Sequence, residues 1–286
     1  MKIIESIKEF QTEIATLNSN GKTIGFVPTM GALHDGHLAL VSQSVAENDC
    51  CIVSIFVNPT QFNNLTDLEK YPRDLNRDAD LLKSVGCDII FAPKAVDIYD
   101  VDVLNTRFDF DFGGLDTVME GQFRPGHFNG VVQIVSKLFN LVQPTNDYFG
   151  EKDFQQLSII HRMMKVMNFK VEIVDCPIVR EASGLAMSSR NERLSTEQRL
   201  IAEQISKTLF ESCNFVPQLT PSEITKIVVD KVNAVTGLRV EYYDIVDITT
   251  LQTIRDWSKP SVGCIAVFCG EVRLIDNIRY PSLLND

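Results

Sequence analysis

Thr23-Ile24-Gly25-Phe26-Val27-Pro28-Thr29-Met30-Gly31-Ala32-Leu33-His34-Asp35-Gly36-His37 passes from an apolar run through a glycine turn into a helical pattern that continues from Leu38 to Ala46. Read as a strand, a tight turn and a helix N-terminus, it presents unpaired backbone N–H groups and a partial positive charge where an anion can sit. Gly36 lets the backbone approach that anion closely. The imidazoles of His34 and His37 flank this glycine, and from there they can donate to phosphate oxygens that gain charge when an α-phosphorus is attacked.

The alternation continues on both sides. An apolar stripe at Ile3, Ile4, Ile7, Phe10, Ile14 and Leu17 predicts a first helix that stops at Asn20-Gly21. Strands are expected near 23–28, 51–57 and 87–92, with helices over 37–47 and about 67–85. The strand runs are apolar on both faces, as buried parallel strands are, so the pattern predicts a doubly wound α/β sheet. Ligands of such sheets bind beyond the carboxyl ends of the strands, where His37 and Gln61 fall. Residues 94–127 read as irregular, with a short strand suggested by the alternation at 108–114. Helices over 128–142 and 153–168 bracket a strand at 147–149, and another is expected at 171–174.

Near Arg180 the rhythm changes. Ser195-Thr196-Glu197-Gln198 and Thr220-Pro221-Ser222-Glu223 read as capping boxes that start helices, the second with Pro at its first position. Strands are expected at 239–246, 262–268 and 271–275, the last two joined by a hairpin at Gly270. The expected organisation is therefore a domain over 1–179 and a smaller C-terminal α+β domain over 180–286, with the Ser-, Gly- and Arg-rich segment 180–193 as a hinge.

With 286 residues the chain can bury a sizeable core, and no apolar run approaches the ~20 residues that span a bilayer, so no membrane insertion is expected. The start of the chain lacks the pattern of a secretory signal, which predicts a cytoplasmic protein. Seven cysteines, with no CxxC pair and no zinc spacing, are expected to stay reduced. A net charge of −11 argues against a nucleic-acid footprint. An anionic ligand must then meet local basic groups and backbone dipoles.

Three further stretches carry chemistry. Phe56-Val57-Asn58-Pro59-Thr60-Gln61-Phe62 follows a strand; Pro59 needs only a turn, but Gln61 is a neutral donor and acceptor suited to a hydroxyl and carboxylate ligand. Gly150-Glu151-Lys152-Asp153-Phe154-Gln155-Gln156-Leu157 follows a strand and enters a helix. Taken alone it reads as an Asp153 N-cap beside a solvated Lys152. Gly184-Leu185-Ala186-Met187-Ser188-Ser189-Arg190-Asn191 sets two hydroxyls and a guanidinium in a loop, able to grip phosphates or to serve as a flexible linker. His161 reads as a packing or surface histidine.

The HxGH pattern at a strand-to-helix turn is similar to that of the nucleotidyltransferase superfamily, whose members cleave a nucleoside triphosphate between its α and β phosphates. All four motifs in this order closely resemble the pantothenate synthetase family, ligases that join pantoate to β-alanine at the expense of ATP, over about residues 23–191. The resemblance implies a Rossmann-like fold, a pantoyl-adenylate intermediate, Mg2+ carried with ATP, no metal held by the protein alone, and a homodimer. It implies catalytic roles for His34, His37, Lys152 and Arg190. Contacts to ATP fall to Met30, Gly31, His34, Gly36, His37, Gly150, Glu151, Lys152, Asp153, Val179, Met187, Ser188, Ser189 and Arg190. Gln61, Gln156 and Asn58 fall to pantoate and β-alanine. Gln155 points elsewhere, because neighbouring helical residues do not share a face.

Gly121-Gln122-Phe123-Arg124-Pro125-Gly126-His127-Phe128 also matches the family pattern and is assigned to the pocket wall. Asp78 and the acidic residues around 71–74 read as a solvated helix face, or as lying near magnesium. Two positions depart from the family pattern: Ser183 where Asp is usual and Asp35 where Glu is usual. A nucleotidyltransferase acting on a phosphate-bearing substrate is disfavoured, because Gln61 and Gln156 are neutral. A retired, non-enzymatic site is disfavoured because His34, His37, Lys152 and Arg190 are all present.

Overall fold

The computed structural model describes residues 1–62, 68–69, 71–99, 108 and 110–281. In chain order the first elements are β1 (Lys2–Ile4), α1 (Ile7–Ser19), β2 (Ile24–Thr29), α2 (Asp35–Glu47), β3 (Cys50–Ile55), α3 (Leu75–Ser84), β4 (Ile89–Phe91) and α4 (Ala95–Ile98). There follow α5 (Met119–Phe123), α6 (His127–Val142), β5 (Asn146–Gly150), α7 (Phe154–Met167) and β6 (Glu172–Cys176). The last are α8 (Thr196–Ser212), α9 (Pro221–Asn233), β7 (Leu238–Asp247), β8 (Ser261–Cys269) and β9 (Val272–Tyr280). The chain forms two compact units, one of Met1–Gly113, Arg124–Glu151 and Ile159–Pro177, the other of Gly114–Phe123, Lys152–Ser158 and Ile178–Asp286.

The first unit is built on a six-stranded sheet in the order β1-β4-β3-β2-β5-β6, parallel throughout. Val27, Val53, Ile90 and Tyr148 from the strands pack with Leu33, Val41 and Leu82. Elsewhere in this unit Phe10 of α1 stacks on Phe91 of β4, with ring centroids 3.9 Å apart. The chain leaves β2 toward β3, and β5 pairs on its other side, so the switch point of this sheet lies between β2 and β5. The HxGH turn follows β2 and Gly150 ends β5, which puts both at the place where doubly wound sheets bind ligands.

Three expectations need revision. Ile3 and Ile4 belong to β1, which pairs with β4, and the helix starts only after the Ser6 N-cap. A three-residue strand followed by a helix imitates an i, i+3, i+4 stripe, so periodicity merged the two. The helix expected over about 67–85 is interrupted: Leu68 and Glu69 are helical, 71–74 are not, and α3 begins at Leu75, where Asp74 accepts from Arg77 N at 3.0 Å; Asp67 and Lys70 lie outside the described residues. In the strand suggested at 108–114, Asp109 lies outside them too, and the described residues 110–112 are not in a strand. All seven cysteines are free thiols, six of them buried.

In the second unit α8 and α9 pack on an antiparallel sheet, β7-β8-β9, through Ile205, Leu209, Ile224, Val228, Ile265, Val267 and Leu274. Both capping boxes form as the sequence predicts: Gln198 N donates to Ser195 Oγ at 3.1 Å, and Ser195 N donates to Gln198 Oε1 at 2.9 Å. Thr220 and Glu223 make the same exchange at the start of α9. Gly270, at φ +58°, turns β8 into β9. Segment 114–123 is tied to this sheet by Glu120, whose carboxylate accepts two bonds from Arg273 and one from the Tyr242 hydroxyl.

Candidate active site

Beyond β2 the backbone is left-handed at two successive residues, Gly31 (φ +77°) and Ala32 (φ +52°). For Ala32 that costs about 1–2 kcal/mol. Asp78, on α3 and only 2% exposed, holds the turn by accepting from Ala32 N at 3.0 Å and Leu33 N at 2.9 Å. A Cβ at Gly31 would come 2.8 Å from Asp78 Oδ2, so the carboxylate needs glycine there. Burial raises the Asp78 pKa, and the bonds from Leu33 and Ala32 oppose the rise. Asp78 is thus not on a solvated face; its contact partners are 45 and 46 residues away in sequence, which no local pattern reveals. Asp78→Ala should lower unfolding free energy by about 1–3 kcal/mol, the cost of leaving buried donors unpaired. An unchanged denaturant midpoint would refute this bracing role.

His34 is the N-cap of α2, and the two imidazoles form a reciprocal cap: His34 Nδ1 accepts from Gly36 N at 3.1 Å, and His37 Nδ1 from His34 N at 3.4 Å. Their ring centroids are 4.0 Å apart. A neutral imidazole that accepts at Nδ1 carries its proton on Nε2. Each ring is thereby made a donor at Nε2, beside a helix N-terminus that itself favours anions.

After β3, Asn58 caps the 3-10 turn Pro59–Gln61. Its Oδ1 accepts from Tyr99 OH at 2.8 Å and Thr60 Oγ1 at 3.1 Å, and its Nδ2 donates to Gly130 O at 3.0 Å and Gln61 Oε1 at 3.1 Å. Asn58 is 1% exposed, so it braces the turn. Burial pushes the Tyr99 hydroxyl up to about 12, which keeps it a donor. Gln61 Nε2 lies 2.9 Å from Met30 Sδ, which brings the first two motifs together. His127, buried at the start of α6, sits with Nδ1 2.8 Å from Gln61 O. Its role in fixing this backbone was visible only as a position in a motif.

Gly150 closes β5, and Glu151–Asp153 form a 3-10 turn into α7. The two-unit division falls between Glu151 and Lys152. In the second unit, Lys152 Nζ lies 3.7 Å from Asp153 Oδ2. Gln155 is buried and donates to Leu115 O at 2.7 Å and Val118 O at 2.8 Å, while Gln156 stays half-buried. The Ser-rich segment is braced at its root. Met187 N donates to Val179 O at 3.0 Å, and buried Asn191 donates to Ala186 O and Glu181 Oε1, both at 3.0 Å. Ser188 Oγ accepts from Arg190 N at 3.3 Å and starts the 3-10 turn Ser189–Arg193. Among the described residues no three His, Cys, Asp or Glu side chains are grouped to hold a metal ion, and no helix is long and apolar enough to cross a membrane.

A parallel sheet with an imidazole-capped helix N-terminus at its switch point is the build of a phosphate-binding α/β protein. The family described as Pantoate-beta-alanine ligase matches residues 2–279, and the chain belongs to that family. It is 59% identical to the pantothenate synthetase of Phocaeicola vulgatus over 99% of this chain and 100% of that one. Its identity to the Bacteroides fragilis enzyme of the same name is 57%, over 99% and 100%. The crystal structure of pantothenate synthetase from Thermus thermophilus superposes with a TM-score of 0.91 at 41% identity, over 98% of this chain and 100% of that one. The Francisella tularensis pantoate-beta-alanine ligase, complexed with beta-gamma ATP and beta-alanine, gives a TM-score of 0.81 at 36% identity, over 98% and 97%.

Proposed function

We propose that this chain condenses pantoate with β-alanine in two steps driven by ATP. In the first, a pantoate carboxylate oxygen bonds to the α-phosphorus of Mg-ATP, the bond to the β-phosphate bridging oxygen breaks, and pyrophosphate leaves. In the second, the β-alanine amine bonds to the acyl carbon of pantoyl adenylate, the acyl–oxygen bond breaks, AMP leaves and the amine proton passes to solvent. The observation that carries this reading is the imidazole-capped turn at the switch point of a family member's sheet.

Negative charge moves from the carboxylate through the α-phosphate to pyrophosphate, so catalysis requires positioned donors along that path and no covalent nucleophile. His34 and His37 donate from Nε2 to the α- and β-phosphate oxygens. Lys152 is a point charge on the transferring phosphates, and Arg190 grips the β and γ end with Ser188, Ser189 and the backbone at Met187. Met30, Gly31, Gly36, Gly150, Glu151, Asp153 and Val179 receive the remainder of the nucleotide. Gln61 and Gln156 bind pantoate without adding charge, with Asn58 beside them. We further propose domains at 1–179 and 180–286, segment 180–193 as hinge and phosphate loop, a cytoplasmic homodimer, and no nucleic-acid partner.

The chemistry is tested by partial reactions. Exchange of labelled pyrophosphate into ATP should require magnesium and pantoate but no β-alanine, and the complete reaction should form AMP in equal measure with pantothenate. ADP as product would overturn it. The pantoate pocket has its own test at Gly130, where a Cβ would lie 2.4 Å from Thr60 O and 2.6 Å from Gln61 N. Gly130→Ala must displace the turn that carries Gln61, and is expected to weaken pantoate binding about tenfold or more with a smaller effect on ATP. Equal losses for both ligands in calorimetry would reject this division of the site.

A further inference from the structure

Lys152 sits in a turn of three residues, Glu151–Asp153, and its long side chain has much rotamer freedom to lose. What fixes the backbone at Lys152 comes from the other end of the chain. Asn277, 5% exposed on β9, donates from Nδ2 to Lys152 O at 3.0 Å across 125 residues of sequence. Asn277 is itself held. Its N–H donates to Asp276 Oδ1 at 2.7 Å, and its carbonyl accepts from Arg180 Nη2 at 3.3 Å.

Asp276 and Arg180 form a two-point ion pair, Nη1 to Oδ2 at 2.7 Å and Nη2 to Oδ1 at 2.8 Å, with the Asp276 side chain 3% exposed. The guanidinium also donates to Gly184 O at 3.1 Å and lies over Phe210, 5.0 Å from its centroid. Arg180 pairs in an antiparallel bridge with Ala186, immediately before Met187-Ser188-Ser189-Arg190. Burial lifts the Asp276 pKa, while the bonds and charge of Arg180, and the charge of Lys152, oppose the rise. One buried cluster therefore joins the root of the Ser-Ser-Arg loop to the backbone of the lysine.

We propose that Asn277, anchored by the Arg180–Asp276 pair, is a positioning residue for Lys152, setting the lysine relative to the loop that carries Arg190. The inference rests on Lys152 acting on the transferring phosphates. Positioning of this kind is kinetically expensive to lose, since a misplacement of about 1 Å can cost on the order of 10²-fold.

The test is a double-mutant cycle in the full-length protein. Asn277→Ala, and Asn277→Leu as a near-isosteric variant without the donor, are each made in the wild-type and Lys152→Ala backgrounds. Single-turnover formation of pantoyl adenylate and the melting temperature are measured for all. In the wild-type background each variant should slow adenylate formation about tenfold; in the Lys152→Ala background it should slow it little further, because the group it positions is gone. Any change in melting temperature should be the same in both backgrounds. A rate loss of equal size in both backgrounds, or wild-type rates in the Asn277 variants while Lys152→Ala is slow, would overturn the inference and leave the role of Lys152 standing. Wild-type rates in Lys152→Ala would remove that role, and the inference with it.

Discussion

His37→Ala should slow turnover on the order of 10²–10³-fold while the protein remains folded, and Lys152→Ala should do the same. The rate loss follows from removing one donor aimed at charge that appears only in the transition state. Folding survives because the His37 bond to His34 N is long, at 3.4 Å, and contributes little as a cap. His34 is the less clean probe: its 3.1 Å bond from Gly36 N is a true N-cap, and its loss adds about 1 kcal/mol of destabilisation. The two variants should be compared by initial rates at saturating substrate alongside thermal melts. A folded His37→Ala protein that turns over within a few-fold of wild type would remove the HxGH turn from the chemistry.

What could be read from the sequence was what local physics encodes. The strand-turn-helix at 23–46, both capping boxes and the three strands of the second unit all appear as expected. Gln155 and Gln156 also separate as helical geometry requires, one buried against Leu115 and Val118, the other half-buried. What could not be read depends on contacts far apart in sequence. Asp78 looks like one more acid on the polar face of a helix until α3 is laid beside the turn after β2. Asp276 and Arg180, 96 residues apart, carry no local sign of the two-point ion pair they form. Glu120 falls in a stretch without periodicity, and its burial is explained by Arg273 and Tyr242, both on strands distant in sequence. Residue types carrying the chemistry were legible as motifs; the residues that hold them in place were not, because a buried carboxylate and a solvated one are spelled alike.

Asp147 provides the strongest case of such a hidden carboxylate, and its replacement should stabilise the protein. It lies on β5, an interior strand, with 0% exposure, and neither carboxylate oxygen has a hydrogen-bond partner among the described residues. Burial holds its pKa well above the ordinary carboxylate range; the neighbouring Tyr148 N–H opposes the shift without meeting hydrogen-bond geometry. The folded state therefore keeps a proton that the unfolded chain releases above about pH 4. Because the native state binds more protons, unfolding free energy falls as pH rises, by up to about 1.4 kcal/mol per pH unit between the unfolded and folded pKa values. Asp147→Val, of similar volume and suited to a strand, removes both the proton uptake and the buried polar group. Guanidinium unfolding at pH 4, 5.5 and 7 should show the variant more stable than wild type at neutral pH, by a margin that shrinks toward pH 4. A margin independent of pH, or a less stable variant at pH 7, would mean that the Asp147 carboxylate is ionised and paired in the folded protein.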